Sequence, residues 1–141
     1  MKTVYLVTGN PTKVMVAQEA MANDQLKLEQ LKVDTPELQS MDVEEIAKFS
    51  AKWAADKFNK PVIKMDNSLW IEALKGFPGP FAAYADKTIS SAGILKLMAG
   101  EKNRKVKFIM AVAYCEPGKE PIVETSELHG TISETLAGEH G

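Results

Sequence analysis

One cysteine, Cys115, is the chain's whole supply of thiol. An intramolecular disulfide is therefore excluded, and a reducing cytoplasm is the natural setting. Cys115 lies in an apolar stretch and reads as a small core residue, not a reactive thiol. Histidine is nearly as scarce. His129 and His140 have no metal-ligand spacing to each other or to Cys115, and both read as surface or loop residues. Positive charge is not in excess: 17 Lys and Arg stand against 19 Asp and Glu, for a net charge of −2. That balance lacks the basic field on which sequence-independent nucleic-acid binding depends. A local pocket for a free nucleotide needs no such field. No apolar run is long enough to span a bilayer, and the first one stops at Gly9-Asn10-Pro11, too early for a signal peptide. Neither a nucleic acid nor a membrane is expected as a partner. Internal repeats, low-complexity segments and linkers are missing, as are the GxGxxG and GxxxxGK phosphate loops.

What is present suits one ordinary domain over residues 1–141, with 45% hydrophobic and 26% charged residues. Thr3 to Val7 is apolar and β-branched and predicts a buried strand. Asn10 is a good helix N-cap and Pro11 fits the first helical position, so a helix should run to about Ala22. Leu26 to Val33 reads as a second strand and Asp34 to Met41 as a polar loop. Asp42 and Glu45 have capping-box spacing, with Ile46, Phe49 and Trp53 expected on the buried face of the helix that follows. Both tryptophans, Trp53 and Trp70, read as core residues. A strand from Pro61 to Met65 is expected to be interrupted by Asp66-Asn67-Ser68 and to resume from Leu69 to Ala73. Gly76-Phe77-Pro78-Gly79-Pro80 is a rigid turn by composition, and a helix is expected from Thr88 to Met98. Val106 to Tyr114 and Pro121 to Ser133 read as a hairpin about the turn Glu116–Lys119. The order β-α-β-α-β-α-β-β predicts an α/β fold with a mixed sheet.

Three features bear on chemistry. Thr8-Gly9-Asn10-Pro11-Thr12-Lys13 joins a strand to a helix N-terminus, where free N–H groups and the helix dipole favour an anion. It reads either as a phosphate site or as an ordinary capped turn. Glu37 and Asp66 offer hard oxygens, and Mg²⁺ needs only one or two carboxylates when phosphates complete its shell. Asp42, Glu44 and Glu45 are ordinary caps or solvated charges. The Gly76–Pro80 turn either shapes a pocket wall or only reverses the chain.

Together, in this order and spacing, these features resemble the Ham1/ITPase family of nucleoside triphosphate pyrophosphatases. The family opens with a strand and T-G-N-x-x-K, matched by Thr8, Gly9, Asn10 and Lys13. A glutamate follows in the loop before the second helix, matched by Glu37. Next come a strand ending in an acidic pair and a hydroxyl residue, matched by Asp66-Asn67-Ser68, and an A-L-x-G-x-P-G-x segment, matched by residues 73–80. The Thr8-Gly9-Asn10 opening sets the related Maf type aside. The resemblance implies an elongated mixed sheet with flanking helices, a cleft between two lobes, and a homodimer. It implies Mg²⁺-dependent hydrolysis of a purine nucleoside triphosphate to monophosphate and pyrophosphate, with ITP, dITP and XTP preferred. Thr8, Gly9, Asn10 and Lys13 would hold phosphates, Glu37 and Asp66 would hold Mg²⁺, and Ser68 would hydrogen-bond the substrate. Lys13 and position 67 would be catalytic, the latter orienting or deprotonating the attacking water.

The chain departs from the family at informative places. Position 67 is Asn67, and an amide cannot accept a proton near neutral pH. Loss of a general base costs ~10²–10⁴-fold, so Asn67→Asp is expected to raise hydrolysis. The family's lysine on the second helix is Ser50 here, with Lys48 and Lys52 on other faces, and an acid three residues after the loop lysine is Val16. The family continues past the position of Gly141 with G-F-G-Y-D-P and S-H-R segments that read the base, so the chain reads as C-terminally truncated relative to it. The expectation is a pyrophosphatase by descent whose activity in this chain is weak or absent. The alternative is a catalytically degenerate nucleotide-binding or dimerisation module of the same fold.

Overall fold

A computed structural model describes residues 2–22 and 25–137. His140 and the chain end from Gly138 lie outside the described residues. The chain forms two compact units, Met1–Asp66 with Ala111–Thr125, and Asn67–Met110 with Ser126–Gly141. Strands β3 (Val62–Ile71), β5 (Lys105–Cys115) and β6 (Ile122–Thr131) run through both. The sheet order is β2-β1-β3-β5-β6, with β4 (Pro78–Gly79) pairing β3.

In the first unit, β1 (Lys2–Val7) lies parallel to both neighbours. It pairs β2 (Leu26–Leu31) from Lys2↔Leu26 to Val7↔Leu31, and β3 at Tyr5↔Val62 and Leu6↔Ile63. Parallel neighbours need crossovers, and α1 (Pro11–Ala20) and α2 (Val43–Phe58) supply them. The chain leaves β1 to one side for β2 and returns to its other side for β3. Strand order therefore reverses at β1, and in open α/β sheets ligands bind beyond the carboxyl ends of the strands at such a reversal. Val4, Leu6, Val14 and Leu28 form a core under α1, joined by Ile63 and Met65 from β3. Alternation along β3 then turns Val62, Lys64 and Asp66 to the opposite face.

The helix starts follow the sequence closely. The Asn10 side chain accepts the Thr12 N–H at 2.9 Å. Asp42 accepts the Glu44 N–H at 3.0 Å, but the expected capping box closes through a relay. Ser40 Oγ accepts the Asp42 N–H and donates to Glu45. The buried face of α2 is Val43, Ile46, Ala47, Ser50, Ala51, Ala54 and Ala55, a stripe of mostly small residues. Phe49 is 43% exposed, which corrects its expected place on that face. Trp53 is half-buried at the flank, edge-on to Phe58, with the Lys57 ammonium 4.5 Å from its ring centre. Small residues let α2 approach its partners closely and push the large rings aside.

In the second unit, Ile71, Met98 and Val106 make the core. The turn Gly76–Pro80 folds Pro78 and Gly79 back onto Trp70 and Leu69. Gly76 needs its positive φ of 96°, and a Cβ there would press on the Trp70 ring at 3.1 Å. The helix expected from Thr88 to Met98 is α4 (Ser90–Leu97), and a further helix that was not expected, α3 (Ala82–Thr88), precedes it, the two being divided where Ser90 takes a φ of 58°. Arg104 donates to the carbonyls of Met98, Glu101, Ile132 and Ser133 and so fixes the segment after β6.

The expected break at Asp66-Asn67-Ser68 does not occur, because β3 is extended without interruption. Ser68 explains part of this. Its buried hydroxyl donates to the Ile109 carbonyl at 2.9 Å and accepts from the indole Nε1–H of Trp70 at 2.7 Å, so a polar residue is satisfied inside the sheet. Cys115 is fully buried, as expected, and is a free thiol.

Lys2 at the start of β1 and Tyr114 near the end of β5 converge with Lys119 on Glu116, at hydrogen-bond distances of 2.8–3.2 Å. Lys119 first, then Tyr114 and Lys2, hold the Glu116 carboxyl down at about 2. Its folded value is below its unfolded one. The network's contribution is therefore complete above about 4.5 and is lost as pH falls through about 2. NMR titration should find Glu116 near 2, and Glu116→Gln should flatten the fall of Tm across that window. An ordinary carboxylate value at Glu116 would show that the network does not form in solution.

Candidate active site

The carboxyl ends of β1 and β2 and the continuing β3 present three segments at one edge of the first unit. After β1 come Thr8, Gly9 and Asn10. The Asn10 N–H donates to Thr8 Oγ1 at 3.1 Å, and the Thr8 carbonyl accepts from Gln30 Nε2 at 2.8 Å. This pins the turn that starts α1, with exposed Lys13 on its first turn. Nothing lies within 4 Å of where a Cβ on Gly9 would sit, and Gly9 lacks a positive φ. Neither packing nor backbone conformation asks for glycine there, and that side of the turn is open.

After β2 comes the loop with Glu37. Ser50 Oγ, on the buried face of α2, donates to the carbonyl of Pro36 at 3.3 Å and tethers the residue before Glu37. Three residues beyond the last β1–β3 pair is Asp66. Both carboxyl groups are pushed above the usual carboxylate range. For Glu37 the larger cause is desolvation and the next is the Asp66 charge, although the residue as a whole keeps much of its surface in water. For Asp66 the cause is burial, opposed by Lys64 and Lys13. Asp66 Oδ2 is buried and has no hydrogen-bond partner among the described residues.

These features test the fit of a cation. A buried carboxylate oxygen without a donor, beside a second carboxylate, is what a hard divalent ion satisfies. No group of three or more His, Cys, Asp or Glu that could hold a metal exists among the described residues. Two carboxylates would thus form the protein's share, with water and phosphate oxygens completing the shell.

The structure brings Lys13, Glu37 and Asp66 into one electrostatic neighbourhood and adds Lys64, which the sequence reading passed over. Its only signal in the sequence was position: two residues before Asp66 in a strand, hence on the same face. Asn67 is exposed and shares the face of Met65, not of Asp66. Ser68 is a correction. Its donor is spent on Ile109 and it is 0% exposed, so the hydroxyl serves the sheet and not a substrate. Elsewhere, a cavity of about 840 Å³ in the second unit is lined by Trp70, Lys75, Lys105, Lys107 and His129. It holds none of the expected site residues.

The Ham1 family pattern matches residues 4–141. The chain belongs to the Ham1 family. It is 47% identical to a dITP/XTP pyrophosphatase of Methanopyrus kandleri, over 98% of this chain and 73% of the relative. A dITP/XTP pyrophosphatase of Thermococcus kodakarensis is 42% identical, over 96% of this chain and 72% of its own length. Among solved structures, a Ham1 protein of Coxiella burnetii superposes with a TM-score of 0.86 at 25% identity, covering 100% of this chain and 78% of that one. The Staphylococcus aureus Ham1 protein gives 0.83 at 24% identity, covering 99% and 77%, and shows the shared fold.

Two expectations follow for this Ham1 chain. Burial raises the folded pKa of Asp66 above its unfolded value, so its charged form works against folding and stability falls as pH rises through the folded pKa. Asp66→Asn should therefore raise Tm by about 2–4 °C at neutral pH, a gain that shrinks in acid, while removing function. A lower Tm at neutral pH would show that the carboxylate stabilises the free protein. Gly9→Ala should leave Tm unchanged and weaken nucleotide binding by about tenfold, because the methyl group fills only ligand space. Equal binding by calorimetry would mean that nothing approaches Gly9.

Proposed function

We propose that the chain is a Mg²⁺-dependent pyrophosphatase acting on deaminated purine nucleoside triphosphates, dITP, ITP and XTP, and releasing pyrophosphate. The observation that carries this is the Glu37–Asp66 pair, with the partnerless Asp66 Oδ2, beside the strand-to-helix turn Thr8–Lys13. The dITP/XTP pyrophosphatases to which the chain is similar set the substrate class.

In this reading Glu37 and Asp66 hold Mg²⁺, which when bound neutralises charge on the phosphates. The open face of Gly9, the start of α1 and the Lys13 ammonium receive phosphate oxygens. Water attacks phosphorus, the bond to the departing pyrophosphate breaks, and the water's proton needs an acceptor. The amide of Asn67 cannot be that acceptor. The Glu37 and Asp66 carboxylates are committed to Mg²⁺ in this reading, so the proton passes to solvent water or to the departing pyrophosphate.

A cytoplasmic setting and a homodimer belong to the same proposal. The buried free thiol of Cys115 suits a reducing compartment, and no helix among the described residues is long and apolar enough to cross a membrane. Exposed Met15 and Val16 on α1 are apolar surface that a second copy could cover.

Pyrophosphate release from dITP and XTP should require Mg²⁺ and fall by ~10²-fold or more in Glu37→Gln. Asn67→Asp should change the rate less than about threefold, since it adds a carboxylate on the wrong face of β3. Orthophosphate as product, or turnover indifferent to chelator, would count against the proposal. A large gain from Asn67→Asp would return the base to position 67.

A further inference from the structure

We infer that Lys64 balances the charge of the Glu37–Asp66 pair, so that the divalent cation enters with the triphosphate and not ahead of it. The inference rests on reading the site as one for a metal–triphosphate complex. Its geometry comes from β3. The strand is extended from Val62 to Ile71, so Lys64 and Asp66 stand side by side on one face. Met65 between them turns the other way, into the core under α1.

Lys64 is half-buried. Its charge acts on both Asp66 and Glu37, and Lys13 also acts on Asp66. Even so, no donor among the described residues reaches the buried Asp66 Oδ2. Lys64 thus neighbours the carboxylates without occupying the place between them. The free site therefore gathers two carboxylates and two ammonium groups.

A bare divalent cation entering there meets attraction from one pair and repulsion from the other. A metal–triphosphate complex meets both favourably. Its metal faces the carboxylates, and its remaining phosphate oxygens face Lys64 and Lys13. Lys64 therefore opposes the metal alone and favours the loaded triphosphate. Those two effects have opposite signs, which a merely structural lysine would not produce.

The test uses the full chain with Lys64→Met and Lys64→Arg, both of which keep a long stem where Lys64 packs. Calorimetry would measure Mn²⁺ alone, and inorganic tripolyphosphate in the presence of Mg²⁺. Lys64→Met should bind Mn²⁺ alone about threefold more tightly and Mg²⁺-tripolyphosphate about tenfold more weakly. Lys64→Arg should return both towards the wild-type values. Two constants that stay unchanged, or that move in the same direction, overturn the inference. The opposed shifts in a protein that hydrolyses no nucleoside triphosphate would uphold Lys64 and sink the catalytic proposal. Normal dITP hydrolysis in Lys64→Met with both constants unmoved would do the reverse.

Discussion

Two carboxylates kept close together and partly out of water are the costly feature around which the first unit is arranged. Glu37 and Asp66 repel each other and are under-solvated, and one oxygen of Asp66 has no donor among the described residues. A chain free to relax would separate them. Here the separation is prevented from three directions. The register Tyr5↔Val62 and Leu6↔Ile63 fixes β3 against β1 and so places Asp66. Ser50 reaches from the buried face of α2 to hold Pro36, and with it the approach to Glu37. The packing of Ile63 and Met65 under α1 decides which face of β3 Asp66 must take.

The positive groups nearby make the arrangement tolerable without cancelling it. Lys13 and Lys64 lower the Asp66 pKa, yet burial outweighs them. The proposed metal–triphosphate ligand would supply both the cation and the anionic oxygens that such a site lacks. The same logic explains why Gly9 is open. Its backbone conformation and surroundings would accept a side chain, so the free space has no role in the protein's own packing.

Several readings of the sequence failed for reasons that can be stated. Asp66-Asn67-Ser68 looks like a break because three polar residues interrupt an apolar run. The strand continues because Ser68 finds the Ile109 carbonyl and the indole N–H of Trp70. Phe49 looked like a core residue by helical spacing from Ile46. The competing stripe Ala47, Ser50, Ala51, Ala54 and Ala55 won, since small residues let the helix pack closely. Ser50 read as the loss of a lysine, but its hydroxyl holds the loop of Glu37. Lys52, considered as its substitute, is bound to Asp56 and to the carbonyl of Lys119.

The sequence by itself determined the alternation of strands and helices as far as α2, the closing hairpin, the Asn10 and Asp42 helix starts, the burial of Cys115 and the family, but not α3 or β4. These depend on local spacing and on short motifs, which survive without coordinates. It also offered Lys13, Glu37 and Asp66 as separate candidates. Only the tertiary structure decided that these three share one neighbourhood, that Lys64 joins them, and that Ser68 does not. Such decisions depend on which face of β3 is covered by α1 and on which loops meet at the reversal of strand order about β1. Both are set by packing between segments far apart in the chain, and single-residue patterns carry no record of them.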